Sequence, residues 1–265
     1  EHEPNQRNIG VAVPAGPVRV SSSHPRNHDG AWFSVVVTRT VNHPRPGSDE
    51  ISRAFEECWV PRPGGPRTLA FLGNVTAADG REHAEVFLVE LPADLSVAVE
   101  GRALEGTETR RPAPPSGTVQ RRITFTAGRK FPGVVTAPRH WLRASPDGSA
   151  IAFLMKDDAG EPQLWTTAPA GGEPRQVTRN PAGVSSAFSW SPDGRRIAHV
   201  MDGSVCVTDV AHGVTSRLTP RAEGESVPLA LACVFSPDGR RVAYQRKVRG
   251  AGGVFAQIFT VDAHP

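Results

Sequence analysis

The chain has 265 residues, with 26 Gly and 25 Pro but only two Met and one Tyr, a composition that favours strands and turns over long helices. Its formal net charge of +3 comes from arginines scattered among 27 acidic residues, without the basic runs that hold nucleic acid. Cys58, Cys206 and Cys233 lack the spacing of a disulfide framework or zinc site, and no stretch approaches the roughly 18 apolar residues of a membrane span. No nucleic-acid or membrane partner is therefore expected. The opening EHEPNQRN lacks the basic-then-apolar pattern of a secretory signal, so a cytoplasmic location is the expectation.

In chain order, residues 7–13 (RNIGVAV) read as a fourth strand whose three predecessors are missing, so residues 1–30 are expected to end a preceding blade and lead into a connecting loop. Residues 32–40 (WFSVVVTRT) are expected to open a divergent blade over 31–127. Its second strand is LAFLG from Leu69, its third EVFLVELP from Glu85 and its fourth RRITFT from Arg121, with insertions at 41–67 and 92–118. The first insertion contains PGSDEISRAFEECWVP, which predicts one short helix. Ser48 would cap it, Asp49 and Glu50 would occupy its first turn, and Ile51, Phe55, Cys58 and Trp59 would share an apolar face.

The rest of the chain repeats itself. ASPDG at 144–148 returns as WSPDG at 190–194 and FSPDG at 235–239, giving periods of 46 and 45 residues, the spacing of a four-stranded propeller blade. Proline and glycine suit a tight turn, and the aspartate can bond back to the backbone. Asp147, Asp193 and Asp238 are therefore read as turn residues rather than catalytic carboxylates. Each turn leads into an apolar strand (IAFLM, RIAHV, RVAYQ), then a third (QLWTT, SVCVTDV, QIFTVD) and, in two repeats, a short fourth (RQVTR, SRLTP). Asp202-Gly203 sits where a two-residue hairpin needs positive φ. Blades are expected at 128–181, 182–221 and 222–265, the last without a fourth strand. The fold class is all-β: a single partial β-propeller domain over 1–265, with about three and a half four-stranded antiparallel blades and one short inserted helix.

The words PGSDEI, FPGVVTAPRHWLRASPDG, HPRNHDGAWFSVVVT and IAFLMKDDAGEPQLW, with others across nearly the whole chain, resemble an uncharacterised bacterial family typified by the enterobacterial protein YidR. The resemblance implies a propeller similar to those of TolB and the oligogalacturonate lyases, and a role in biofilm formation.

Ligands in propellers gather in the channel or on one rim, so residues just ahead of first strands are the candidates. Arg139 and His140 in APRHW stand there, as do His24, Arg26 and His28 in SSHPRNHDG one blade earlier. In one reading His24, His28 and His140 hold a divalent metal, and Arg26 and Arg139 bind a small anionic ligand. Asp49, Glu50 and Arg53 then hang over the channel mouth as a lid. In the other, His140 bonds backbone carbonyls, Arg139 stacks on Trp141, and Glu50, Arg53 and Glu57 form intrahelical ion pairs on a solvated face. No nucleophile elbow or phosphate loop is present. A non-catalytic scaffold that binds a protein or small anionic ligand is the expectation; the alternative is a metal-assisted lyase acting on acidic sugars, with His140 or Arg139 as base.

Overall fold

In the computed structural model residues 7–18, 29–106 and 110–264 are described. His24, Arg26 and His28 lie outside the described residues. The chain divides into two compact units, Glu1–Glu57 with Arg62–Arg122, and Cys58–Pro61 with Ile123–Pro265.

In the first unit β1 (Gly10–Val18) pairs antiparallel with β2 (Gly30–Val36), placing Gly10 opposite Val36. Residues 7–13 and 32–40 thus form one hairpin, which corrects their assignment to two successive blades. Both runs are short and rich in valine, so either can line a sheet, and composition alone does not choose the partner. A four-stranded sheet comprises β3 (Ala54–Val60), β4 (Arg67–Thr76), β5 (Glu82–Leu91) and β6 (Val119–Arg122), in that order. Its first strand is therefore AFEECWV, not WFSVVVTRT.

The same strand replaces the predicted helix. The Ser48 hydroxyl donates to the Arg45 carbonyl at 2.7 Å and accepts from the Glu50 amide, closing a local turn instead of capping a helix. The backbone then bonds sideways to β4: the Ser52 amide reaches the Asn74 carbonyl at 3.0 Å, and the Asn74 amide reaches the Arg53 carbonyl at 3.1 Å. Tertiary pairing outweighs a helical preference worth only tenths of a kcal/mol per residue.

In the second unit three sheets follow the repeat. The first comprises β7 (Arg143–Ala144), β8 (Ile151–Lys156), β9 (Pro162–Thr167) and β10 (Arg175–Gln176). The second comprises β11 (Ser189–Trp190), β12 (Arg196–Met201), β13 (Ser204–Asp209) and β14 (Thr215–Arg217). The third has β15 (Val234–Phe235), β16 (Arg241–Gly250) and β17 (Gly253–Asp262). Neighbours in sequence are neighbours in each sheet, and all pair antiparallel. Ala144, Trp190 and Phe235 hold equivalent places, opposite Ile151, Ile197 and Val242, and β11 touches both β7 and β15. Short inner strands converge while the sheets fan outward, which makes this unit a run of propeller blades. The protein is all-β, a partial β-propeller; one turn of 3-10 helix at Gly224–Ser226 is the helical element among the described residues.

The blades adhere through apolar faces. Ala152, Leu154, Leu164 and Val177 of one pack against Val184, Phe188 and Ile197 of the next. Each such side chain buried contributes about 1.5–3 kcal/mol. Polar groups add registry: the Trp190 indole N–H donates to the Arg143 carbonyl at 2.9 Å, and an Arg196 guanidinium nitrogen to the Ala263 carbonyl at 2.6 Å.

Candidate functional site

The SPDG turns carry one hydrogen-bond scheme three times. The Ser145, Ser191 and Ser236 hydroxyls donate to Asp147, Asp193 and Asp238 at 2.6, 2.5 and 2.5 Å. The same oxygen of each aspartate accepts a backbone amide, from Ser149, Arg195 and Arg240. These donors, the serine hydroxyl foremost, hold all three carboxyls below the usual carboxylate range. The aspartates are ionised turn elements, each spending one oxygen inside its own turn.

Two successive turns enclose a cleft of about 850 Å³. Residues 145–150 form one wall, residues 190–195 the second, and the turn at 209–212 with Arg175 closes the outer side. One Arg175 guanidinium nitrogen donates to the Val210 carbonyl at 3.0 Å, so this arginine bridges one blade to the next. Asp209 accepts the His212 amide, which chiefly lowers its carboxyl, and lies 2.8 Å from His212 Nδ1. The half-buried Trp190 supplies a flat apolar wall, and Arg195 is exposed. The cleft thus offers cationic groups from Arg175 and Arg195, an aromatic face, and carboxylates already engaged by local donors. It opens where first strands end, whereas Arg139 and His140 stand where β7 begins.

Those two residues take separate, structural roles. His140 is buried; its Nδ1 lies 3.0 Å from the Pro138 carbonyl and its Nε2 accepts the Leu154 amide at 3.2 Å. The pair of bonds fixes the tautomer with the proton on Nδ1. Neither nitrogen keeps a lone pair for a metal in this geometry, and burial lowers the imidazole pKa further. The Arg139 guanidinium sits 4.6 Å from the centre of the Trp141 ring. Among the described residues no cluster of three or more His, Cys, Asp or Glu side chains is arranged to hold a metal ion.

In the first unit Glu50 accepts the Arg45 backbone amide at 2.9 Å and its Nε at 3.0 Å, and the backbone bond chiefly lowers its pKa. Arg53 lies over the Phe55 ring at 5.2 Å. Asp49 stands 3.6 Å from Arg122, which bonds Glu85 at 2.9 Å, and Glu85 lies 3.0 Å from His83. His83, Glu85 and Arg122 escape a search for rim residues. Their signal is the alternation of EHAEVFLVE, which places His83 and Glu85 on the face of Phe87 and Val89, polar groups on an otherwise apolar side. Glu85 faces Gly73 across the ladder, and any side chain at Gly73 would strike Ile51 and Phe87. The glycine thus lets Ile51 and Phe87 pack directly over the ladder beside this buried group.

No protein-family model matches the chain. TolB from Acinetobacter baumannii is similar to 88% of the chain and 46% of its own, at 19% identity and TM-score 0.47. A TolB structure from Agrobacterium tumefaciens gives 88% and 64%, at 21% identity and TM-score 0.46. The uncharacterized protein YidR of Escherichia coli strain K12 is 47% identical over 240 residues, which are 90% of this chain and 56% of that protein. Over nine-tenths of its length the chain is thus YidR-like, a homologue that spans about half of its uncharacterised relative.

Proposed function

We propose that this YidR-like chain is a binding scaffold whose cleft between the first two SPDG turns takes a ligand presenting a carboxylate or phosphate. The observation that carries this reading is the cleft's construction: two equivalent turns of adjacent blades, with Arg175 and Arg195 at its sides and Trp190 as a wall. Guanidinium groups recognise such anions through charge-assisted hydrogen bonds, and a flat ring beside them suits a compact organic acid or an acidic side chain. The neighbouring aspartates repel an anion less than free carboxylates would, because local donors already engage them. The biofilm role implied by the resemblance would act through this binding. The metal-assisted lyase has no supporting observation, since His140 lacks a free nitrogen and Arg139 is stacked.

Inorganic phosphate and citrate, titrated separately while backbone amide resonances are followed, test the proposal. Shifts confined to residues 145–150, 190–195 and 209–212 are expected, with affinity reduced about tenfold or more by Arg195→Ala, the scale of one charge-assisted hydrogen bond. Shifts elsewhere, or equal affinity in Arg175→Ala/Arg195→Ala, would contradict it.

A further inference from the structure

Of the 30 lysines and arginines in the chain, three are lysines: Lys130, Lys156 and Lys247. Two of the three stand beside one ring. The Lys130 and Lys156 ammonium nitrogens lie 5.3 and 5.5 Å from the centre of Phe131. A third cation adjoins them: Arg129 lies over the Trp165 ring at 4.4 Å, and one of its guanidinium nitrogens donates to the Lys156 carbonyl at 3.2 Å. All of these residues belong to the second unit.

Two pieces of backbone build the cluster. The segment 126–133 is closed by the Gly133 amide on the Thr126 hydroxyl at 2.7 Å and by the Arg129 amide on the Thr126 carbonyl at 2.9 Å, and it joins β8 where Val134 bridges Met155. The turn between β8 and β9 is the other piece: Lys130 Nζ donates to the Asp158 carbonyl at 3.1 Å, and a β-carbon at Gly160 would meet the Phe131 ring at 3.4 Å. The acids of this turn are engaged by backbone donors, Asp157 by the Ala159 and Glu161 amides and Glu161 by the Gly183 amide. Among the described residues none of the three cations forms an ion pair. The corresponding junction of the last sheet, marked by the bridge from Pro228 to Arg246, pairs opposite charges instead, with both Glu225 oxygens 2.8 Å from an Arg249 nitrogen. At Phe131 the connecting segment and the hairpin both bring cations, and like charges gathered without a counter-charge attract an anion.

We propose that Arg129, Lys130 and Lys156 around Phe131 form a binding site for a compact ligand carrying two neighbouring anionic groups, phosphate or carboxylate. Each ammonium takes one anionic group. Lysine suits this role because its charge is compact and its three donors rotate, whereas the arginine used elsewhere in the chain presents a fixed fork. Arg129, held on Trp165, fixes the hairpin backbone at Lys156 and adds its charge to the site. The cluster lies at the opposite end of β8 from the SPDG turn, so it is separate from the cleft proposed above.

The scarcity of lysine supplies the measurement. The full chain, labelled with carbon-13 at the lysine ε-carbon, gives three signals, of which Lys247 is the internal control. Inorganic pyrophosphate and malonate are titrated separately, against sodium chloride of equal ionic strength. One or both should move the Lys130 and Lys156 signals together and leave Lys247 in place, pyrophosphate alone marking a phosphate ligand and malonate alone a carboxylate one. Lys130→Gln and Lys156→Gln should each weaken binding about tenfold, the scale of one charge-assisted hydrogen bond, while Arg175→Ala/Arg195→Ala in the SPDG cleft should leave it unchanged. No movement with either probe, equal movement of all three signals, unaltered affinity in either glutamine variant, or loss of binding in the arginine double variant would overturn the proposal.

Discussion

His199 shows how a single buried side chain contributes to the protein's response to pH. It faces Cys206 across the β12–β13 ladder, lies 2.8 Å from the Thr208 hydroxyl through Nε2, and is fully buried. Burial lowers its pKa to about 4, from an ordinary 6.5. Between those values the unfolded chain binds a proton that the folded chain refuses, so stability falls as pH drops from 6.5 towards 4. The loss approaches about 1.4 kcal/mol per pH unit within that window and is absent above it. Urea unfolding at a series of pH values should show this slope, and His199→Gln should flatten it, so that the two proteins converge in stability as the solution is acidified. An unchanged slope in the variant would assign the pH dependence elsewhere. His140 illustrates what residue types conceal. The motif APRHW places a histidine ahead of a first strand, as a ligand site requires, but the bonds to Pro138 and Leu154 that make it structural depend on a turn and on β8, both invisible in the motif. The buried thiols follow the same physics. Burial pushes Cys206 up to about 11 and Cys233 up to about 12, where a thiolate is too rare to react at neutral pH.

At the scale of elements, turn chemistry decides how much of the fold can be read in advance. The SPDG turns and the Asp202-Gly203 hairpin are legible because their conformations are local: Asp202 and Gly203 both adopt positive φ, at 46° and 69°, with Met201 opposite Ser204. The segment from Ser48 to Val60 was not, since its strand state depends on Asn74, a residue more than a dozen positions away. A fourth turn is hidden there too. Arg62-Pro63-Gly64-Gly65, closed by the Gly65 amide on the Arg62 carbonyl at 2.9 Å as the Gly148 amide closes on Ser145, follows β3 as SPDG follows the later first strands, but it lacks the serine and aspartate that make the repeat visible. Gly148 packs onto Pro61: a β-carbon at Gly148 would stand 1.7 Å from the Pro61 carbonyl oxygen, whereas one at Gly194 would meet nothing nearer than Pro146 Cδ at 3.4 Å. Both glycines have φ near 70°. Gly194→Ala should therefore cost only the left-handed backbone strain, about 1–2 kcal/mol. Gly148→Ala adds a backbone collision and should cost roughly 4 kcal/mol or more. Chemical denaturation of the two variants measures the difference, and equal losses would contradict the Pro61 contact.

For the molecule as a whole, the 46- and 45-residue rhythm corresponds to sheets whose inner strands meet side by side, and from that arrangement comes the cleft. The rhythm was legible because each blade must turn at the same point to keep its inner strand beside the next. The cleft was not, because it is shared by turns 46 residues apart and by Arg175, which no motif links to them. The central claim is that successive SPDG turns stack, with Gly194 against Pro146 and Gly239 against Pro192. Proton NMR tests this most directly. Nuclear Overhauser contacts are predicted from the δ protons of Pro146 to the α protons of Gly194, and from those of Pro192 to Gly239. Assigned spectra lacking both would contradict the stacked-blade arrangement, and the cleft built on it.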